Sequence, residues 1–228
     1  HLKHKLLSLA YDADIVLDLH CDYQAVLHVY MGESLWPRDR DLAAQLGAKT
    51  TLLADDSGVT PFDEACSRIW FELAARFPKH PIPPACLAAT VELRGLADLT
   101  HEMAGQDADN IVTFLTRRGL IRGDVPTLPA LPRDATPLSG VEHIKAPCPG
   151  VVVFFKAAGD PVSAGDVVAE VINPIAGSPH DRVHPIKATT DGIVFARSVD
   201  LFARPGRILA KIAGDKPLKA EGENLLTQ

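Results

Sequence analysis

A chain of 228 residues with 46% hydrophobic and 23% charged residues has the composition of ordinary globular domains, one large or two small. Its formal net charge of −6, with no run of Lys and Arg, argues against a nucleic-acid surface. No apolar stretch reaches the roughly 18–20 residues of a bilayer span, and four scattered cysteines without a CxxC pair (Cys21, Cys66, Cys86, Cys148) read as reduced thiols of a cytoplasmic protein.

In chain order, Leu2, Leu6, Leu7, Leu9 and Ala10 space a helix over 2–11. The chain starts with His1 inside that helix, as expected of a fragment, a processed product or a truncated form. Ala13-Asp14-Ile15-Val16-Leu17-Asp18-Leu19-His20-Cys21-Asp22 follows. Its apolar run predicts a parallel strand over 14–19, covered on both faces. Chemistry in open α/β sheets sits beyond the carboxyl ends of such strands, so His20 stands where a ligand or catalyst is expected. The alternative is a core histidine held by Asp18 or Asp22.

A second strand is expected over 25–30, which includes His28. Pro37 opens a helix that runs from Arg38 to Leu46 and stops at Gly47. Residues 50–54 form a strand and 55–58 a turn. Thr60 is expected to cap a helix from Pro61 to about Phe77, with Phe62, Ala65, Ile69, Phe71, Leu73 and Ala74 inward. A breaker-rich loop over 78–84 precedes a strand over 86–93 and a helix over 107–120 whose apolar side carries Ile111, Val112, Phe114 and Leu115. Strands alternating with helices give an α/β class with a mainly parallel or mixed sheet flanked by helices.

Residues 1–122 form that α/β part, 123–139 a Pro-rich linker, 140–215 an all-β module and 216–228 a tail. The module repeats itself. Lys145-Ala146-Pro147-Cys148-Pro149-Gly150-Val151-Val152 matches Lys187-Ala188-Thr189-Thr190-Asp191-Gly192-Ile193-Val194, and Ala164-Gly165-Asp166-Val167-Val168 matches Pro205-Gly206-Arg207-Ile208-Leu209. Two copies of one small β unit predict a compact sandwich or barrel. The pattern resembles the biotinyl/lipoyl carrier fold, but the hairpin over 173–180 has no lysine for a carrier group. The module is therefore read as structural, or as a wall of a site.

Glu92 is a lone carboxylate in the apolar strand Thr90-Val91-Glu92-Leu93-Arg94-Gly95, and burying it without a partner or purpose is costly. Arg94 is one candidate partner. If the two strands are close, Glu92 and His20 converge on one crevice, where a carboxylate beside a metal-bound water acts as general base. The joint occurrence of residues 13–20, 90–95 and the β module resembles the succinylglutamate desuccinylase/aspartoacylase family, zinc-dependent amidohydrolases related to zinc carboxypeptidases. The resemblance, over about 10–215, implies an incomplete zinc-carboxypeptidase-like fold, hydrolysis of a small-molecule N-acyl amino acid, His20 as the third zinc ligand and Glu92 as general acid/base. The family's first two ligands come from an upstream His-x-x-Glu, which this chain lacks. Family members usually have Gly where this chain has Arg94.

Other candidates are His28, pointing to the site at period 2; Asp18, orienting His20; and Arg38, binding a substrate carboxylate. His1 and His4 share one side of the first helix and can share a metal. Surface is left for a second copy of the chain, so a homo-oligomer is open. The competing reading is a non-catalytic relative that serves as a binding or assembly module.

Overall fold

The computed structural model describes residues 2–218 and 225–226. His1, and with it the His1/His4 pair, lies outside them, as does most of the tail. Helices α1 (Leu2–Ala10), α2 (Trp36–Asp39), α3 (Asp41–Leu46), α4 (Phe62–Arg76) and α5 (His101–Arg117) alternate with strands β1 (Ile15–Asp22), β2 (Gln24–Ala25), β3 (Leu27–Met31), β4 (Thr50–Leu53), β5 (Leu87–Gly95) and β6 (Thr136–Pro137). Then come β7 (Val141–Lys145), β8 (Gly150–Phe154), β9 (Pro161–Val162), β10 (Val167–Ile172), β11 (Val183–Lys187), β12 (Gly192–Arg197), β13 (Phe202–Ala203) and β14 (Ile208–Gly214). No described helix is long and apolar enough to cross a membrane.

The first sheet runs β1-β5-β3-β4-β6. It is mixed: β1 with β5, β3 with β4 and β4 with β6 are parallel, whereas β3 and β5 are antiparallel. One face buries Val29, Leu87, Ala89 and Val91 against α3 and the fully buried Phe114 of α5. Burying a side chain of that size contributes about 1.5–3 kcal/mol. The other face packs Val16 and Ala88 against Ala10 of α1 and Cys66 of α4.

Several sequence expectations are corrected here. Strand β1 continues to Asp22 and is an edge strand among the described residues, with Leu19 half exposed rather than covered. The second predicted strand splits at Val26: β2 pairs with β12, and β3 joins the first sheet. Thr60 does not cap α4. Pro61 occupies the N-cap position with no side-chain bond. The buried face of α4 is Asp63, Glu64, Cys66 and Ser67, while Ile69 is exposed. Helix α5 begins earlier than predicted, at His101, because the Thr100 hydroxyl accepts the Met103 N–H at 3.1 Å. The linker is not featureless to residue 139, since β6 extends the first sheet at β4.

The remaining strands form two sheets, β11-β10-β8-β13 and β2-β12-β14-β7 with β9 on β12. Ile144, Val152, Val168, Val171, Val194, Leu209 and Ile212 share one core between them. The internal repeat is carried element by element: β7, β8, β9 and β10 correspond to β11, β12, β13 and β14. Ala25, Leu52, Leu138, Phe195 and Ala213 make a further cluster that fastens these sheets to the first one.

Candidate active site

Parallel strands bury their edges well, but a polar residue among apolar neighbours must find a function or a partner. On the α4 side of the first sheet the register sets three such residues abreast. His20 on β1 lies opposite Glu92 on β5, and Glu92 lies opposite His28 on β3. Two residues back, Asp18, Thr90 and Tyr30 form a second row.

The His20 ring is half exposed; its Nε2 lies 3.1 Å from Asp18 Oδ1 and its Nδ1 4.0 Å from Glu92 Oε1. Asp18 thus holds one nitrogen and leaves the other on the Glu92 side. Glu92 is largely buried, and its Oε2 has no partner. Burial pushes its carboxyl above the usual range and the Asp22 charge adds to this, with His20 and Lys211 opposing. Lys211 of β14 reaches across to Asp22, Nζ to Oδ2 2.9 Å. Burial alone would raise Asp22, but the Lys211 ammonium holds it below the usual carboxylate range.

His28 is fully buried and stacks edge-on against Tyr30 and Phe195. Its Nδ1 is bonded to Val26 O at 2.8 Å and its Nε2 has no partner. Burial pulls its pKa from the ordinary 6.5 to about 4. A His that binds its proton more weakly when folded contributes stability that is present above pH 6.5 and lost as pH falls towards 4. Acidification through that window is expected to cost the wild type about 3 kcal/mol from this group alone. A His28→Phe variant, which keeps the stacking, should lose that part of the pH dependence in thermal melts.

Arg94 does not partner Glu92. It lies on the opposite face and forms a double ion pair with Asp107 of α5, Nη1 to Oδ2 2.8 Å and Nη2 to Oδ1 2.7 Å. Its backbone is left-handed, φ 82°, a conformation that Gly adopts without strain. The bridge to α5 offsets what that conformation costs. Arg38 is likewise remote, held by Asp39 and by Pro84 O at 2.7 Å. Cys66 and Cys86 are buried thiols pushed up to about 11, unsuited to nucleophilic work.

Sequence reasoning missed Tyr30, Thr90, Asp63 and Lys211, which line the same crevice as His20 and Glu92. Lys211 carried one signal: its counterpart in the repeat is Glu170. A catalytic zinc needs three protein ligands. His20 fits as one of them, with a carboxylate orienting its second nitrogen. The described residues contain no group of three His, Cys, Asp or Glu side chains that could hold a metal.

No protein-family model and no curated protein matches this chain. Among solved structures, a protein assigned to the succinylglutamate desuccinylases/aspartoacylases from Shewanella frigidimarina NCIMB 400 superposes with a TM-score of 0.79 at 25% identity, over 92% of this chain and 56% of that one. A second, from Shewanella amazonensis SB2B, gives 0.79 at 26% identity, over 90% and 56%. The product-bound ectoine utilization protein EutE (DoeB) from Ruegeria pomeroyi shares the fold, with a TM-score of 0.69 at 14% identity over 93% of this chain and 61% of that one. The chain therefore spans a little over half the length of the two Shewanella proteins. With the Asp18-Leu19-His20 and Glu92 strands paired as they are, the chain is similar in structure to proteins of the succinylglutamate desuccinylase/aspartoacylase family.

Proposed function

We propose that the protein hydrolyses the amide bond of an N-acyl amino acid, with zinc as cofactor, His20 as one metal ligand and Glu92 as the group that moves the proton. The observation that carries this reading is the His20–Glu92 register pair, with Nδ1 facing a buried carboxylate that has a free oxygen. The other metal ligands come from outside the described residues. When bound, zinc polarises the scissile carbonyl and makes water acidic. Glu92, whose Oε1 faces His20 Nδ1, takes the proton of the attacking water and returns it to the leaving nitrogen. Burial, which raises its proton affinity, suits it to hold that proton between the two steps.

Glu92 also borders a second cavity of about 460 Å3, walled by Lys145 and Arg197 together with Arg207, paired with Asp200, and Lys211, paired with Asp22. Such a wall suits a substrate carboxylate. Free cysteines suit a reducing, cytoplasmic setting. One observation favours a binding-only relative: the described residues do not complete a metal site. Turnover decides between the two readings. Zinc-loaded complete protein should release free amine from members of an N-acyl amino acid panel, and His20→Ala should lower both turnover and zinc content. Turnover by His20→Ala equal to the wild type would remove His20 from the site.

A further inference from the structure

The C-terminal tail returns to the body of the protein at the crevice. Leu225 is 3% exposed and packs with Leu52, Leu138 and Phe195 in the cluster that fastens the β module to the first sheet. Its backbone N–H donates to Ser57 O at 2.8 Å. Ser57 is itself tied to α4, because its N–H and its hydroxyl both donate to Glu64 Oε2, at 3.1 and 2.7 Å. Nearer the start of the tail, the Leu218 N–H donates to Ser139 O at 2.8 Å. Leu225 is therefore docked at a defined place by a buried side chain and a backbone bond together.

Leu225 accounts for the anchoring, and Leu226 does something else. It is partly buried against the same cluster, and it borders a cavity of about 300 Å3 whose lining also includes His20 and Glu92. Tyr30, Leu52, Ala54 and Leu138 belong to that cluster and line the cavity too. The apolar lining is thus one contiguous patch, to which the tail contributes Leu226. Tyr30 and Leu52 stand on β3 and β4 inside the first sheet, so the fold fixes their places. Leu226 stands on no strand or helix. Its side chain can be larger or smaller without disturbing a ladder, and the room in an apolar pocket discriminates between ligands that differ by a methylene.

We infer that Leu226 is a specificity-determining residue: docked through Leu225, it closes the apolar wall of this cavity and limits the length of the uncharged substrate arm that the cavity admits. This rests on the proposed hydrolysis and adds the C-terminal tail to the parts that select its substrate.

The test uses zinc-loaded complete protein and two series of straight-chain amides. One is N-acylnorvaline with the acyl chain lengthened from acetyl to decanoyl; the other is an N-acetyl amino acid with the side chain lengthened from alanine to 2-aminodecanoic acid. In at least one series the wild-type kcat/KM should fall sharply past one length. Leu226→Ala should move that fall to longer arms, raising the long-to-short ratio of kcat/KM about tenfold or more, the worth of a methylene of pocket. Leu226→Trp should move it to shorter arms, and Leu225→Asp, which undocks the tail, should act as Leu226→Ala does. Calorimetric binding of the same compounds should shift in the same direction. A loss of stability alone would lower every member of a series alike and leave the profile in place. Length profiles that are the same in wild type and Leu226→Ala, or a wild type indifferent to length in both series, overturn the inference while the hydrolytic function stands. If the wild type hydrolyses none, the hydrolytic function fails, and the binding series decides: a shifted length limit upholds the role of Leu226, and no shift or no binding overturns it. The Leu226 comparison stands even if Leu225→Asp does not fold.

Discussion

Replacing Glu92 by Gln is expected to lower kcat by about 10²–10⁴-fold, the usual worth of a positioned general acid/base. The change is close to isosteric, so the strand pairing of Glu92 with His20 and His28 should persist. It removes the carboxylate that faces His20 Nδ1 and is assigned the taking and returning of the proton. The effect on stability should run the other way. Burial raises the Glu92 carboxyl, so the folded protein holds that proton more tightly than the unfolded chain does. Its contribution is present at low pH and is lost as pH rises through the raised value. At neutral pH the ionised, half-satisfied carboxylate therefore opposes folding. Glu92→Gln should melt at or above the wild-type temperature while losing turnover, and a parallel loss of both would mean a structural role only.

The second large effect falls on the fold. Gly150 and Gly192 occupy the same place in the two halves of the β repeat, opening β8 and β12. A Cβ on Gly192 would lie 2.2 Å from the Ala213 backbone oxygen, and one on Gly150 2.3 Å from that of Ile172. These obstacles are the backbones of paired strands, which cannot move aside without breaking the ladder that β12 and β10 depend on. Gly192→Ala should cost more than about 4 kcal/mol, in the range reserved for severe core lesions. It should appear as insoluble protein or as a melting temperature lower by well over about ten degrees. Gly47→Ala, at a helix end with φ 70° and open space, should cost only about 1 kcal/mol by comparison.

The repeat aligned Gly150 with Gly192 in the sequence, but the reason for a glycine there, close approach of a paired backbone, came only from the structure. His20 and Glu92 were legible because each interrupts an apolar strand, and burial makes such an interruption expensive. Their convergence was only a condition until the register paired them. The face of α4 was misjudged. The apolar residues Phe62, Ala65 and Ile69 suggested one stripe, whereas the helix turns Asp63, Cys66 and Ser67 to the protein interior. A polar inward face is physically sensible only beside a polar crevice, and that crevice is made by strands far off in the chain. The exchange of β2 into the sheet of β12 was hidden for the same reason: a two-residue strand carries no periodicity, and its pairing is decided by Val26 N–H donating to Phe195 O at 3.0 Å. Arg94 looked like a partner for Glu92 because the pleat sets residues two apart on one face, but the left-handed backbone at Arg94 breaks that alternation and sends it to Asp107.

The central claim is that His20 and Glu92 stand at a metal-dependent hydrolytic centre. Anomalous diffraction at the zinc edge, from crystals of the complete zinc-loaded protein, tests it most directly. The anomalous signal should fall at His20 Nδ1, the nitrogen that Asp18 leaves free and that faces Glu92. Zinc bound elsewhere, or a His20 ring that no metal touches in an active protein, would contradict the assignment.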